Sequence, residues 1–244
     1  MAIRPVYSIA ENMPYVSAEN IEFTYFPGFS IEQKRKSISS LHMAFSNIHS
    51  DARILEVSSK SETTLGRKLS AFNLTFHYSE NQICTVESAF QSSKAFEKAG
   101  QAEDLLFKSS LHAKTDPRIH IKDDSLQCFS FKGQKYPLEP KTCFYEWLFL
   151  KGIAELPDEE KNLLATYTSF TDIEFNPKKS INCQARAAAI AVGIMKSPLL
   201  KGLDALTEDF ERFKDFVYGP TKLQADLSAE SKNAEYGQMK LEGF

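Results

Sequence analysis

The chain has 244 residues, 42% of them hydrophobic and 25% charged, with a formal net charge of −3. That suffices for the core of one large domain or two small ones. It argues against a strongly basic nucleic-acid coat, although one local patch could still meet phosphates.

Residues 1–30, with Pro5, Pro14 and Pro27, read as irregular. Residues 31–48 read as a helix through Ile31, Ile38, Leu41 and Phe45. ARILEVSS (52–59) alternates like a strand, KSETTLGRKLSAFN (60–73) reads as a polar connection, and LTFHY (74–78) as a short strand. TVESAFQSSKAFEKAG (85–100) reads as one helix, capped by Thr85 and stopped by Gly100. SLQCFSFKGQKYPL (125–138) suggests a hairpin turning at Lys132-Gly133. PKTCFYEWLFLKGIAEL (140–156) is apolar on nearly every side, as expected of a central buried helix. A further helix starts at Asp158 and runs through 157–170, and an Ala-rich helix over 183–195 is expected to be capped by Asn182 or Ser180. The expectation is an α+β domain, predominantly helical with a few short strands, over 1–218, and a polar tail over 219–244.

Cys84, Cys128, Cys143 and Cys183 form no CxxC pair, and MAIRPVYSIAEN lacks the apolar core of a signal peptide. No apolar run reaches the roughly 18 residues of a membrane span. A cytoplasmic protein with reduced thiols is expected. His42, His49, His77, His112 and His120 show no HxxxH or HExxH spacing, so no metal site is expected. The GxGxxG and P-loop signatures are absent, and no cofactor is expected.

On a helical wheel, Glu87, Gln91, Lys94 and Lys98 form one stripe, so that an acid, an amide and a lysine could share a cleft. A solvated polar face gives the same pattern. Two details favour chemistry. Glu87 lies in the first turn, where the helix dipole favours a negative charge. Lys94 lies beside Phe90, where burial would free its amine. A carboxylate can stabilise an oxocarbenium ion and a neutral lysine can attack an opened sugar aldehyde, which together would suit N-glycoside cleavage.

GRKLSAFNLTF followed by TVESAFQSSKAF resembles the signature of the NADAR family, and FYEWLFLKG resembles that family's tryptophan-bearing second helix. GFSIEQKRKSISSLH, LEVSSKSETTLGRKLSAFNL and FTDIEFNPKKSINCQARAAA are similar to the branch associated with DarT-type toxins, over about Arg4 to Tyr218. Ala71 replaces the Asn of the general loop, and Ser88-Ala89 replace its usual His-Tyr. The resemblance implies a single NADAR/YbiA-like domain and an ADP-ribosyl glycohydrolase. Its substrate would be ADP-ribosylated guanine in DNA, its product ADP-ribose, and its cognate toxin a possible partner. Glu87 and Lys94 match the family's acid and lysine, Trp147 its tryptophan, and Ser70, Phe72 and Asn73 its substrate loop. Lys94 could ion-pair with Glu87 or form a Schiff base with the sugar.

Other segments carry ligand-binding candidates. Ser59, Lys60, Ser61 and Gly66 lie in a loop that could wrap a pyrophosphate, or serve as an ordinary connection. Asn176, Lys179, Ser180 and Asn182 precede a helix start, a natural anion site that could equally be simple capping. Asp172 and Glu174 share one polar loop, where either could position a ribose hydroxyl or a water or simply be a surface acid, Asp172 being slightly favoured. Glu146 reads as a structural ion pair with Lys151 or Arg186, and Trp147 could stack on a base. The cluster Lys34-Arg35-Lys36 could meet DNA phosphates. The alternatives are a non-catalytic immunity protein that binds the toxin, and a YbiA-like N-glycosidase acting on a small metabolite.

Overall fold

The computed structural model describes residues 1–199 and 203–219. From residue 220 onward, the polar tail read over 219–244 lies outside the described residues. No helix among the described residues is long and apolar enough to cross a membrane.

Residues 1–30, read as irregular, instead hold two strands. β1 (Ala2–Ile9) and β2 (Val16–Phe23) pair antiparallel from Ala2↔Phe23 to Ile9↔Val16. Pro14 lies in the turn between them and Pro27 lies beyond β2. Pro5 falls where β2 is the only neighbouring strand among the described residues, because the strand on the other side meets β1 at Tyr7 and Ser8. A missing N–H costs little there.

α1 (Ile31–Ser46) starts at Ser30, whose hydroxyl accepts from the Gln33 N–H. β3 (Ile54–Glu56) follows, and α2 (Thr64–Lys68) forms inside the stretch read as a polar connection. The hairpin of β4 (Thr75–Ser79) and β5 (Gln82–Thr85) runs directly into α3 (Val86–Ser92).

Here the helix expected over 85–100 is corrected. Thr85 caps it as read, but Ser92 and Ser93 both donate their hydroxyls to the Ala89 carbonyl, at 3.1 and 2.6 Å. Such back-bonding competes with helix propagation. The Ser93 carbonyl accepts instead from the Ser130 N–H at 2.6 Å, and the chain continues as β6 (Lys94–Phe96). Gly100, at φ +71°, turns it into β7 (Gly100–Gln101).

α4 (Ser110–Thr115) precedes the hairpin of β8 (Leu126–Phe131) and β9 (Gln134–Tyr136), which turns at Lys132-Gly133 as read, both with positive φ. α5 (Cys143–Ala154) and α6 (Asp158–Ala165) follow. The helix read over 157–170 ends early, and its last residues form β10 (Ser169–Thr171). α7 (Gln184–Lys196) starts at Cys183 with no side-chain cap, in place of the expected Ser180 or Asn182. α8 (Asp204–Thr207) and α9 (Phe210–Tyr218) complete the described chain, a helix-rich α+β domain.

The first sheet has the order β2-β1-β10-β3, with β10 antiparallel to β1 and parallel to β3. Strand alternation divides its faces. Val6, Ile21 and Phe23 pack on Ile38, Leu41 and Phe45 of α1, while Tyr7, Leu55 and Phe170 join the main core with α5 and α7. The small side chains of α7 allow close approach: a Cβ on Gly193 would lie 2.5 Å from the Tyr15 carbonyl oxygen. A third sheet, β7-β6-β8-β9, lays aromatic rings against α5, with Phe129 stacked on Phe144 at 4.6 Å. Each such buried ring contributes about 1.5–3 kcal/mol.

Gly66 proves to be a packing residue. A Cβ there would lie 2.1 Å from the Glu56 carbonyl oxygen and 2.2 Å from Ser61 Oγ. Gly66→Ala is expected to cost about 1–3 kcal/mol through overpacking. Urea denaturation measures this, and an unchanged midpoint would contradict the assignment.

Candidate active site

The site grows from the start of α3. The Val86 and Glu87 N–H groups bond to the carbonyls of Leu74 (2.9 Å) and Ala71 (3.0 Å), which seats the first turn on the preceding loop. Glu87 is 6% exposed. Its Oε1 accepts from Gln91 Nε2 at 2.9 Å and lies 3.8 Å from Lys114 Nζ, while Oε2 has no hydrogen bond among the described residues.

Lys94 enters from β6, the strand that replaces the rest of the expected helix. Its amine lies 5.1 Å from the centre of the Phe90 ring and makes no ion pair among the described residues. Burial lowers its pKa, the Glu87 charge opposes this, and the positive charge of Lys114 adds to the lowering. Lys98, from the same predicted stripe, points elsewhere and donates to the Asp123 carbonyl at 2.8 Å.

Asp172 follows β10. Its Oδ1 accepts from the N–H groups of Glu174 (3.0 Å) and Phe175 (3.2 Å). Burial pushes its carboxyl up to about 8, with the nearby Glu56 carboxylate adding to the rise. Glu56 is raised by burial too; it accepts from Ser58, Thr171 and the Ile173 N–H behind the site. Tyr145 of α5 lies within electrostatic reach of both Glu87 and Asp172, and its hydroxyl has no hydrogen bond among the described residues.

These groups line one cleft of about 680 Å³, within the usual range for small-molecule sites. Phe72, Phe90, Phe129 and Phe175 give it apolar walls, Lys114, Lys141 and Lys179 bring cations, and His120 also lines it. Gln91 and Asn182 also line it, and their Oε1 and Oδ1 atoms are buried without a hydrogen-bond partner among the described residues.

Of the sequence candidates, the cleft gathers Glu87, Lys94, Asp172, Phe72, Gln91, Lys179, Ser180 and Asn182. Ser59, Lys60, Ser61, Gly66, Ser70, Asn73, Asn176 and Trp147 do not line it. The 57–68 segment is tied up internally. Thr63 caps α2 by accepting from the Gly66 N–H, and Arg67 reaches the Ser61 and Glu62 carbonyls at 2.9 and 2.7 Å. Asn73 is exposed and donates to the Arg67 carbonyl at 2.8 Å. Asn176 accepts from the N–H groups of Lys178, Lys179 and Ser180, so that turn is already closed. Trp147 is a core residue whose indole N–H bonds to the Leu206 carbonyl at 3.0 Å. Glu146 pairs with Arg186, as one of its two sequence readings held, and Tyr218 also donates to it.

The sequence reading missed Lys114, Tyr145 and Gln184. Lys114 lies in a segment with no motif, brought in by the fold alone. Tyr145 belongs to a helix apolar on almost every side, where periodicity cannot single out the cleft-facing position. Gln184 Oε1 accepts from the Ala71 N–H at 2.7 Å, joining the α7 start to the Glu87 loop.

A family model described as DarT1-associated NADAR antitoxin matches residues 2–226. No curated protein matches the chain.

The buried carboxyls carry a stability signature. The folded chain holds a proton on Asp172 that the unfolded chain releases above the ordinary aspartate value of 3.8. Stability therefore falls as pH rises toward about 8. Buried His42, lowered to about 4, acts in the opposite sense below 6.5. Asp172→Asn keeps the acceptor oxygen and removes the titration. Its stability advantage over the wild type should grow from pH 5 to pH 8, by at most about 1.4 kcal/mol per unit. Parallel stability–pH curves for the two proteins would refute the shift.

Proposed function

The chain belongs to the DarT1-associated NADAR antitoxin family, and from that premise we propose that it hydrolyses the N-glycosidic bond of ADP-ribosylated guanine in DNA. The product is ADP-ribose, and the reaction reverses the mark of a DarT-type toxin. The observation that carries this reading is that Glu87 and Lys94 share one cleft while Lys94 has no ion-pair partner among the described residues.

The chemistry follows from the environment of each group. As the bond from guanine nitrogen to ribose C1 lengthens, positive charge develops on the sugar, and the free Oε2 of Glu87 stabilises it. The Lys94 amine attacks C1. A bond forms between Nζ and C1, the electron pair of the C1–guanine bond leaves on the guanine nitrogen, and that nitrogen takes a proton. Asp172, kept protonated near neutrality by its burial, is the donor. Nζ returns its extra proton to the Asp172 carboxylate that this step leaves. The ring C1–O bond then breaks as the Nζ electron pair forms the C=N bond, and Asp172 protonates the ring oxygen. Water adds to C1, the C1–Nζ bond breaks with Lys94 leaving as the amine, and ring closure yields ADP-ribose. The balance is one water consumed and one N-glycoside cleaved.

Glu87→Gln keeps the shape and the contact with Gln91 but removes the charge. Release of ADP-ribose from a guanine-modified oligonucleotide by catalytic amounts of protein should fall on the order of 100-fold or more. The change in thermal stability should stay within about 1 kcal/mol. Turnover at the wild-type rate would remove Glu87 from the mechanism, and absence of turnover by the wild type would remove the reaction itself.

A further inference from the structure

Two lysines face Glu87, and the ion pair goes to the one that the sequence pattern does not pick out. Lys114 Nζ lies 3.8 Å from Glu87 Oε1 and 4.9 Å from the centre of the Phe72 ring. α4, which carries Lys114, is fastened to the same elements. Ser110 Oγ bonds to the Phe72 carbonyl at 2.8 Å and to Oγ1 of Thr85, the cap of α3, also at 2.8 Å. At the other end of α4, His120 Nε2 lies 2.7 Å from the Lys114 carbonyl oxygen. The helix with the carboxylate and the helix with its cation are thus locked together through one hydroxyl pair.

We propose that Lys114 is a positioning residue: it takes the Glu87 carboxylate as its own partner and leaves the Lys94 amine unpaired on Phe90, available as a nucleophile. This rests on the reading that Lys94 meets the anomeric carbon. A lysine paired to Glu87 would be held as an ammonium, with no lone pair to give. A second cation in the same cleft makes protonation of Lys94 harder still, because like charges within a few ångströms repel. The charged and titratable groups around the cleft are Glu87 of α3, Lys114 of α4, His120 beyond it, Glu139 and Lys141 ahead of α5, Tyr145 of α5, and Asp172, Glu174 and Lys179 on the far wall. Of these, Glu87 and Lys114 are the charges that act on Lys94. Glu174 has its own cation, Lys34, at 2.9 Å.

The test uses the full chain and needs no substrate. Reductive methylation with formaldehyde and cyanoborohydride across a pH series, followed by peptide mapping, gives the pH midpoint of Lys94 reactivity. Lys114→Met should raise that midpoint by about one unit or more, because it removes the repulsion and frees Glu87 to pair with Lys94. Lys114→Arg should leave it near the wild-type value, and so should Lys141→Met, which removes a cleft cation that makes no ion pair with Glu87 among the described residues. The acid limb of the kcat/KM profile for ADP-ribose release should move upward with the midpoint in Lys114→Met. An unchanged midpoint in Lys114→Met overturns the proposal, as does an equal shift in Lys141→Met. A shifted midpoint in a protein whose wild type releases no ADP-ribose would uphold the electrostatics and overturn the proposed reaction instead.

Discussion

Glu87 is a carboxylate taken out of water, and a buried charge must be met by hydrogen bonds and a cation. That requirement organises the cleft. Gln91, one turn along α3, supplies a donor, and Lys114 supplies the cation from another helix. Both go to Oε1, which leaves Oε2 without a hydrogen bond among the described residues. The loop before β4 fixes the helix start, and Ser110 ties α4 to the cap of α3. The carboxylate is therefore held from three directions before any ligand arrives, which is the preorganisation that electrostatic catalysis needs.

The early end of α3 matters as much as its start. Ser92 and Ser93 turn their hydroxyls back on Ala89, and the backbone crosses into a sheet. Lys94 then approaches from a strand backed by Phe90 and Phe129 instead of from two turns further along a helix. Desolvation by those rings and repulsion from Lys114 act together on its amine, while the attraction of Glu87 is shared with a nearer cation. Elsewhere in the cleft lining, the chain after β10 wraps Asp172 in backbone N–H groups beside the buried Glu56. Two carboxyls in one cleft thus sit in different environments, one bound to a cation and one held protonated by burial.

Much of this was legible in the sequence, and the failures have physical causes. The Thr85 cap, the Lys132-Gly133 hairpin and the all-round apolar helix around Trp147 are local signals, and each formed where it was read. The family resemblance named Glu87 and Lys94, which line one cleft, whereas helical periodicity put both on one helix and Lys94 lies on β6. The strands at 2–9 and 16–23 were missed because prolines read as breakers, whereas tertiary context put Pro5 where a missing N–H is harmless. The loop 57–68 looked like an anion cradle from its glycine and hydroxyls. Its glycine instead answers a close approach by the Glu56 backbone, a contact that composition cannot reveal. Lys114 carried no signal at all, because its role exists only once α4 packs on α3.

The account depends most on Lys94 meeting the sugar carbon as an unpaired amine. The direct measurement is borohydride added during turnover of ADP-ribosylated oligonucleotide, followed by intact mass and peptide mapping. The account predicts a stable adduct of protein plus ADP-ribose, located on Lys94. Complete release of ADP-ribose in borohydride with no adduct, or an adduct on another lysine, would contradict it.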